Sequence, residues 1–409
     1  MNVDLGQKYK DSILPDEVTD WLRSPKTFKE HVKVLRDHAP HLDVIKKADK
    51  TGPTAMDQYY HKWFKVTKTR KGVKKRPMAM VKDNDLKRYH RTIYNILKLP
   101  YHKQVYSYEK GRSAADCAAP HTNKFAIFEI DIRGFFPSFT RSIIEQGYYE
   151  WLHTMSQKLP MIHRVSDSAI SKLSKRLSIV CTASNFENPQ CIEAVLPIGI
   201  EPSVIISNSF PIELDNTLYD FCSSRRLTYS RYSDNIFVSR TTGHIPRSMQ
   251  EDIKGIVNDF ELHGVKPFKV NDGKERYIPY WRRQRILGAV VNEKVNVSKS
   301  REIWLRSALN HLYYDCLKLI DSIKNEGKMS EEAVKSSSKL YRRYRKVMGN
   351  HSYFCAINKE KYLKYSTQVI AVKILIDEIM YLRGTISQDL PEPKESKAGT
   401  TSRITVKPF

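Results

Sequence analysis

Two carboxylates set into strand-like sequence constrain this chain more than any other feature. Phe125 to Ile132 reads FAIFEIDI, a short and almost wholly apolar run carrying Glu129 and Asp131, and Thr228 to Ser239 reads TYSRYSDNIFVS, an alternating run with Asp234 at its middle. Both patterns predict strands of a sheet packed on helices. A buried carboxylate loses its hydration, so it pairs with something or binds a cation. For either aspartate alone, the ordinary reading is a strand-end carboxylate that caps a turn or meets one of the many arginines. Two such strands lying side by side alter the balance. Their carboxylates can then bridge two Mg²⁺ ions about 3.5–4 Å apart, the arrangement that activates an attacking 3′-oxygen and stabilises a departing pyrophosphate. Hard oxygen ligands select Mg²⁺ over zinc.

The charge points the same way. Lys and Arg number 69 against 45 Asp and Glu in 409 residues, a formal net charge of +24. A polyanion is the natural partner, since far less charge keeps a protein soluble. No apolar run approaches a membrane span, so nucleic acid is preferred to membrane. The opening MNVDLGQKYK has no apolar stretch after its basic residues, and the six cysteines stand apart with no CxxC pair. Neither a secretory signal, a disulfide framework nor a zinc ribbon is expected, and the cytoplasm is the expected compartment.

Along the chain, residues 1–60 are expected to be a helical extension. Tyr59 to Lys82, YYHKWFKVTKTRKGVKKRPMAMVK, predicts a β-hairpin folding about Lys71-Gly72. Six of the nine residues from Lys68 to Arg76 are cationic, which suits either an edge guarded by lysines or a phosphate site. Asp85 to Leu99 predicts an amphipathic helix, helices are expected again from Ser298 to Gly384, and the segment from Thr385, rich in Pro, Ser, Thr and Lys, is expected to be disordered. The runs YWRRQR (Tyr280 to Arg285) and YRRYRK (Tyr341 to Lys346) interleave rings with cations. Such a mix stacks on bases while neutralising phosphates. For the second run, a solvated helix face with its tyrosines in the core is an equal reading.

Several of these segments, in order, resemble reverse transcriptase motifs. FEIDIRGFFPSF resembles the first catalytic motif of retron and group II intron type enzymes, and YSRYSDNIFVS resembles their YxDD motif. LPIGIEPSVIISNSFPIELD resembles the LPQGxPTSPxLSN segment, HGVKPFKVNDGKERY the HGFxxNxxKT segment, YEKGRSAAD the passage before the first catalytic strand, and RQRILGAVVNEKVNVSKSREIWLRSALNHL the start of a bacterial thumb. The resemblance runs from about Lys71 to about Asn358, and the chain resembles the defence-associated and abortive-infection reverse transcriptases of bacteria. It implies an α+β right-hand polymerase: fingers over 61–120, a palm with an antiparallel sheet and helices over 121–297 containing a fingers insertion at about 140–195, a helical thumb over 298–384, and a tail over 385–409.

Carried over by position, the resemblance makes Asp131 and Asp234 the catalytic metal ligands, helped by the Ile132 carbonyl. Lys274 becomes the lysine that protonates or neutralises the leaving pyrophosphate. Lys74 and Arg76 would grip the triphosphate, Phe136 would crowd a ribose 2′-hydroxyl, and Gly199 and Asn235 would border the nucleotide. Packing alone is the rival reading for Phe136, and for Gly199 a structural role is the preferred one. Trp281, Arg282 and Arg283, with Arg342, Arg343 and Arg345, are the expected nucleic-acid contacts. The implied cofactor is Mg²⁺, two ions, with Mn²⁺ as a substitute. The implied partners are an RNA template, a cognate non-coding RNA among them, dNTPs and the DNA product. A second copy of the chain or a companion defence protein is left open.

The chain departs from the family at three places. Asn235 stands for the second Asp of YxDD, Ile198 for the Gln of LPQG, and Ile286-Leu287-Gly288 for the retron VTG triplet. The first removes one negative charge beside the metals and leans the chemistry toward Mn²⁺; the third makes a true retron the less favoured reading. Only about 25 residues follow Gly384, so intron homing is not expected. RNA-directed DNA synthesis in antiphage defence is the leading expectation. Template-independent or protein-primed synthesis, and a nucleic-acid-binding scaffold without turnover, are the alternatives.

Overall fold

A computed structural model describes residues 6–39, 52–69, 72–185, 188, 190–327 and 329–387. The chain divides into two compact units, Met1–Gln284 and Arg285–Phe409.

The first unit opens with β1 (Ser12–Ile13), α1 (Asp16–Arg23) and α2 (Pro25–Asp37), followed by β2 (Tyr60–Thr69) and β3 (Gly72–Val81), which pair antiparallel from Tyr60↔Val81 to Thr69↔Gly72. Helix α3 (Asn84–Ile96) starts where the Asp83 carboxylate accepts the Leu86 N–H, and it buries Leu86, Tyr89, His90 and Ile93, one stripe at helical spacing. Next come β4 (Tyr101–His102), paired with β1, and α4 (Ala114–Ala118), opened by a reciprocal Ser113/Asp116 capping box. The remainder is β5 (Ala126–Asp131), α5 (Arg141–Lys158), α6 (Asp167–Val180), α7 (Glu201–Ser209), α8 (Ile212–Ser224), β6 (Leu227–Tyr232), β7 (Asn235–Arg240), α9 (Arg247–Asp259) and β8 (Arg276–Pro279).

Strands β6, β7, β5 and β8 form one sheet in that order, every neighbouring pair antiparallel. The alternation of β5 explains its composition. Ala126, Phe128 and Ile130 enter the main hydrophobic core, so Glu129 and Asp131 stand on the opposite face. That second face is held between β6 and β7 by His121, whose Nδ1 and Nε2 each lie 2.7 Å from a serine hydroxyl, Ser239 and Ser230. Burial pushes the His121 pKa down to about 3, so the ring is a neutral clamp.

The second unit holds β9 (Arg285–Ile286) paired with β10 (Ala289–Val290), then α10 (Lys299–Glu326), α11 (Glu331–Ile357), α12 (Lys359–Leu363) and α13 (Ser366–Ser387). Gly327 ends α10 at φ +63°, and the Ser330 hydroxyl caps α11.

Mixed helix and sheet, the expected fold class, is what the chain forms, with three adjustments. TYSRYSDNIFVS is not one strand but two, β6 and β7, folded back at Ser233-Asp234, because alternation carries no mark of a turn without glycine. The segment 1–60 contains β1 beside its helices, a strand of two residues too short to show a period. The second unit starts at Arg285, ahead of the expected 297/298 boundary, because its first turns are tied to its helices: Tyr353 donates to the Leu287 carbonyl at 2.8 Å and Tyr362 to Asn296 at 3.3 Å. Residues 388–409 of the expected tail lie outside the described residues. Among the described residues no helix is long and apolar enough to cross a membrane.

Candidate active site

The sheet brings the two aspartates to one end. Asp131 closes β5 directly opposite Asn235, and the Ile132 N–H donates to the Asp234 carbonyl at 2.8 Å. Asp234 sits in the two-residue loop joining β6 to β7, where Ser233 adopts a left-handed φ of +57°. A serine in that region costs about 1–3 kcal/mol unless its surroundings compel it. Here they do: the Ser107 hydroxyl accepts the Ser233 N–H at 2.9 Å, and Arg231 donates to the Ser233 carbonyl at 3.2 Å.

Arg231 anchors this loop from inside the protein. Its guanidinium and the Asp215 carboxylate are both fully buried and meet through two bonds of 2.7 Å, with the Tyr229 hydroxyl adding a third donor to Asp215 at 2.6 Å. The remaining guanidinium hydrogens reach the carbonyls of Ser207 and Asn208 on α7. Asn208 in turn accepts from Ser107 at 2.8 Å and donates to the Ser107 carbonyl and Glu109. Ser207 and Asn208 of α7 are thus wired to the loop that carries Asp234.

Glu129, Asp131, Asp234, Asn235, Lys274 and Arg276 line an open cleft at this end of the sheet. Asp131 is 5% exposed, and Lys274 Nζ contacts its two carboxylate oxygens at 2.5 and 2.6 Å. Asn271 adds a side-chain bond at 3.2 Å, while its N–H holds the Asp131 carbonyl at 2.8 Å. Asn235 Nδ2 donates to Asp234 Oδ1 at 2.9 Å. Glu129 is the resident that sequence reasoning passed over, although FEID places it two residues before Asp131 and so on the same strand face. It pairs with Arg276 through Oε1, its buried Oε2 has no hydrogen-bond partner among the described residues, and burial raises its pKa above the ordinary carboxylate range.

Among the described residues no group of three or more His, Cys, Asp or Glu is arranged to hold a metal. The carboxylates of Asp131 and Asp234 that line the cleft still fit a hard divalent cation, since both offer oxygen donors. The Lys274 ammonium seated on Asp131 marks that carboxylate as a place where positive charge is received from the cleft.

Other expected residues fall as follows. Phe135 is buried against Phe139 and Phe268, while Phe136 beside it is only partly buried in the turn after β5. Gly199 packs on β3: at φ +115° an added Cβ would lie 2.5 Å from the Ala79 carbonyl, and the Ala79 N–H donates to the neighbouring Ile198 carbonyl. That contact is reason enough for glycine, without a nucleotide. Lys74 and Arg76 lie on β3 opposite Thr67 and Lys65, and their side chains lie outside the described residues, as do Arg70 and Lys71. Trp281, Arg282 and Arg283 are exposed just beyond β8. On α11, Arg342 and Arg345 are exposed, but Arg343 pairs with Asp315 at 2.6 Å.

No family model matches the chain. Over 251 residues it is 25% identical to the retron Ec86 reverse transcriptase of Escherichia coli, spanning 58% of this chain and 68% of that protein. It is also 25% identical to two Myxococcus xanthus proteins, the retron Mx162 reverse transcriptase over 208 residues and the retron Mx65 reverse transcriptase over 228. The chain spans less than half the length of each of these two, 40% and 47%. It is therefore similar to retron-type bacterial reverse transcriptases. Among solved structures, apo telomerase from Candida tropicalis aligns with 84% of this chain and 69% of that one at 12% identity, with a TM-score of 0.38, a likeness too slight to carry an argument.

Proposed function

We propose that the chain is an RNA-directed DNA polymerase that adds dNTPs to a primer on an RNA template. One observation carries the reading: Asp131 and Asp234, 103 positions apart in the sequence, line one cleft with Lys274 lying on the first of them. Asp131, Asp234 and the Ile132 carbonyl would hold Mg²⁺, or Mn²⁺ in its place. When bound, such ions lower the pKa of the attacking 3′-hydroxyl and neutralise charge on the triphosphate. Lys274 exchanges Asp131 for the leaving pyrophosphate and gives an Nζ proton to its oxygen. Lys74 and Arg76 hold the triphosphate, and Phe136 excludes a ribose 2′-hydroxyl. Asn235 steadies Asp234 through its amide N–H. The exposed cations Arg282, Arg283, Arg342 and Arg345 meet nucleic-acid phosphates.

The template is RNA, with a cognate non-coding RNA as the resident partner, and the setting is antiphage defence in the cytoplasm. Incorporation of labelled dNTPs by the purified chain, with and without prior ribonuclease treatment, tests this. The expected result is synthesis that ribonuclease abolishes and an added RNA template with primer restores. Synthesis indifferent to ribonuclease overturns the RNA-templated reading in favour of template-independent or protein-primed synthesis. The amide at Asn235 favours one rival, a scaffold without turnover, for which no incorporation would be seen under any of these conditions.

A further inference from the structure

At the end of the sheet remote from Asp131, rings and cations gather. Phe125, just before β5, donates its N–H to the Arg240 carbonyl and accepts the Tyr280 N–H, both at 2.8 Å. Its ring lies 4.9 Å from those of His244 and Tyr280, and Trp281 meets Tyr280 at 5.2 Å and His244 at 5.8 Å. Despite these contacts Tyr280 is 54% and Trp281 60% exposed. Contiguous exposed rings of this size mark a contact surface more often than scattered ones do.

The segments carrying these rings are cationic, although Arg247 among them is paired with Glu251 and Glu275. The three segments that build this end, 121–125, 240–247 and 280–284, contain Lys124, Arg240, Arg247, Arg282 and Arg283 and no Asp or Glu. Cations around exposed rings match a nucleic acid whose base faces are open: phosphates meet the cations and unpaired bases the rings. A duplex has its base faces already covered. The six residues of β5 separate this end from the catalytic pair, at roughly 3.3 Å each about 20 Å.

We infer that Tyr280 and Trp281, framed by Lys124, Arg240, Arg282 and Arg283, form a stacking platform for unpaired bases of RNA, separate from the cleft where nucleotides are added. The inference deepens the RNA-binding part of the proposed function and rests on it. The platform holds a single-stranded stretch of the partner RNA while another part of that RNA serves in the cleft.

Fluorescence anisotropy of the full chain with a short fluorescein-labelled single-stranded oligoribonucleotide, at fixed salt, tests this. Trp281→Ala should weaken binding about tenfold or more, the loss expected for one stacked base. Trp281→Phe should retain most of the affinity and lose the quenching of intrinsic fluorescence that the wild type shows when RNA is added. Arg283→Gln should weaken binding and flatten its salt dependence, and it serves if Trp281→Ala fails to fold. The wild type should extend a pre-annealed short RNA template and DNA primer. Asp131→Ala should abolish that extension yet bind the oligoribonucleotide like the wild type, so failure of the polymerase reading shows there and failure of the platform at Trp281. The platform is overturned if Trp281→Ala and Arg283→Gln bind like the wild type, if duplex RNA competes as well as single strand, or if an acidic peptide displaces the oligoribonucleotide.

Discussion

Replacing Asp215 with Asn tests how the catalytic loop is held. The change keeps the shape of the side chain but leaves the Arg231 guanidinium, fully buried beside it, without a counter-charge. Breaking a buried pair from one side costs about 3–5 kcal/mol. With about 2–4 °C lost per kcal/mol in a domain of this size, the melting temperature should fall by roughly 6–20 °C. Circular dichroism melts and urea unfolding would read it; a fall under about 2 °C would refute the reasoning. The double variant Asp215→Leu with Arg231→Met separates stability from positioning. Two apolar groups of similar bulk should recover most of the melting temperature, but the Ser233 carbonyl then lacks its donor, and dNTP incorporation should stay far below wild type. A double variant as active as wild type would show that the loop needs no such anchor.

Further outcomes are expected elsewhere. Phe136→Ala should lower the preference for dNTPs over rNTPs by about tenfold or more, read as the ratio of kcat/KM values. Asn235→Asp should raise the Mg²⁺-supported rate relative to the Mn²⁺-supported one, by adding the charge the loop lacks. Gly199→Ala should destabilise the first unit by about 1–3 kcal/mol in urea melts, since φ +115° and the Ala79 carbonyl both oppose a Cβ. Burial holds the pKa of His121 at about 3 and that of His90 at about 4. The unfolded chain therefore binds more protons below about pH 6.5, and their contribution, complete above that pH, is lost as pH falls toward those values. The urea midpoint should be lower at pH 5 than at pH 7.5, and His121→Gln should reduce the difference.

Much of the site was legible because its carboxylates are local anomalies. FAIFEIDI has no other reason to carry acid, and the register Asp131↔Asn235 realises the pairing of strands that the anomaly implied. The β2–β3 hairpin was likewise readable from alternation on both sides of Lys71-Gly72. What stayed hidden depends on contacts distant in sequence. Arg231 looks like any outward arginine of an alternating strand, and only Asp215, 16 residues earlier on α8, makes its full burial tolerable. Gly199 carried a structural reading beside a nucleotide-bordering one, but that β3 supplies its close approach could not be read locally. Arg343 read as a phosphate contact, and nothing local foretold its partner Asp315 on the preceding helix.

RNA-templated, Mg²⁺-dependent dNTP incorporation by Asp131→Asn and Asp234→Asn, with the wild type alongside and folding verified by their melts, tests the central claim most directly. Each folded variant should lose activity by about a hundredfold or more, the scale of removing one electrostatic element from a reaction centre. Either one, folded and turning over like the wild type, would contradict the account.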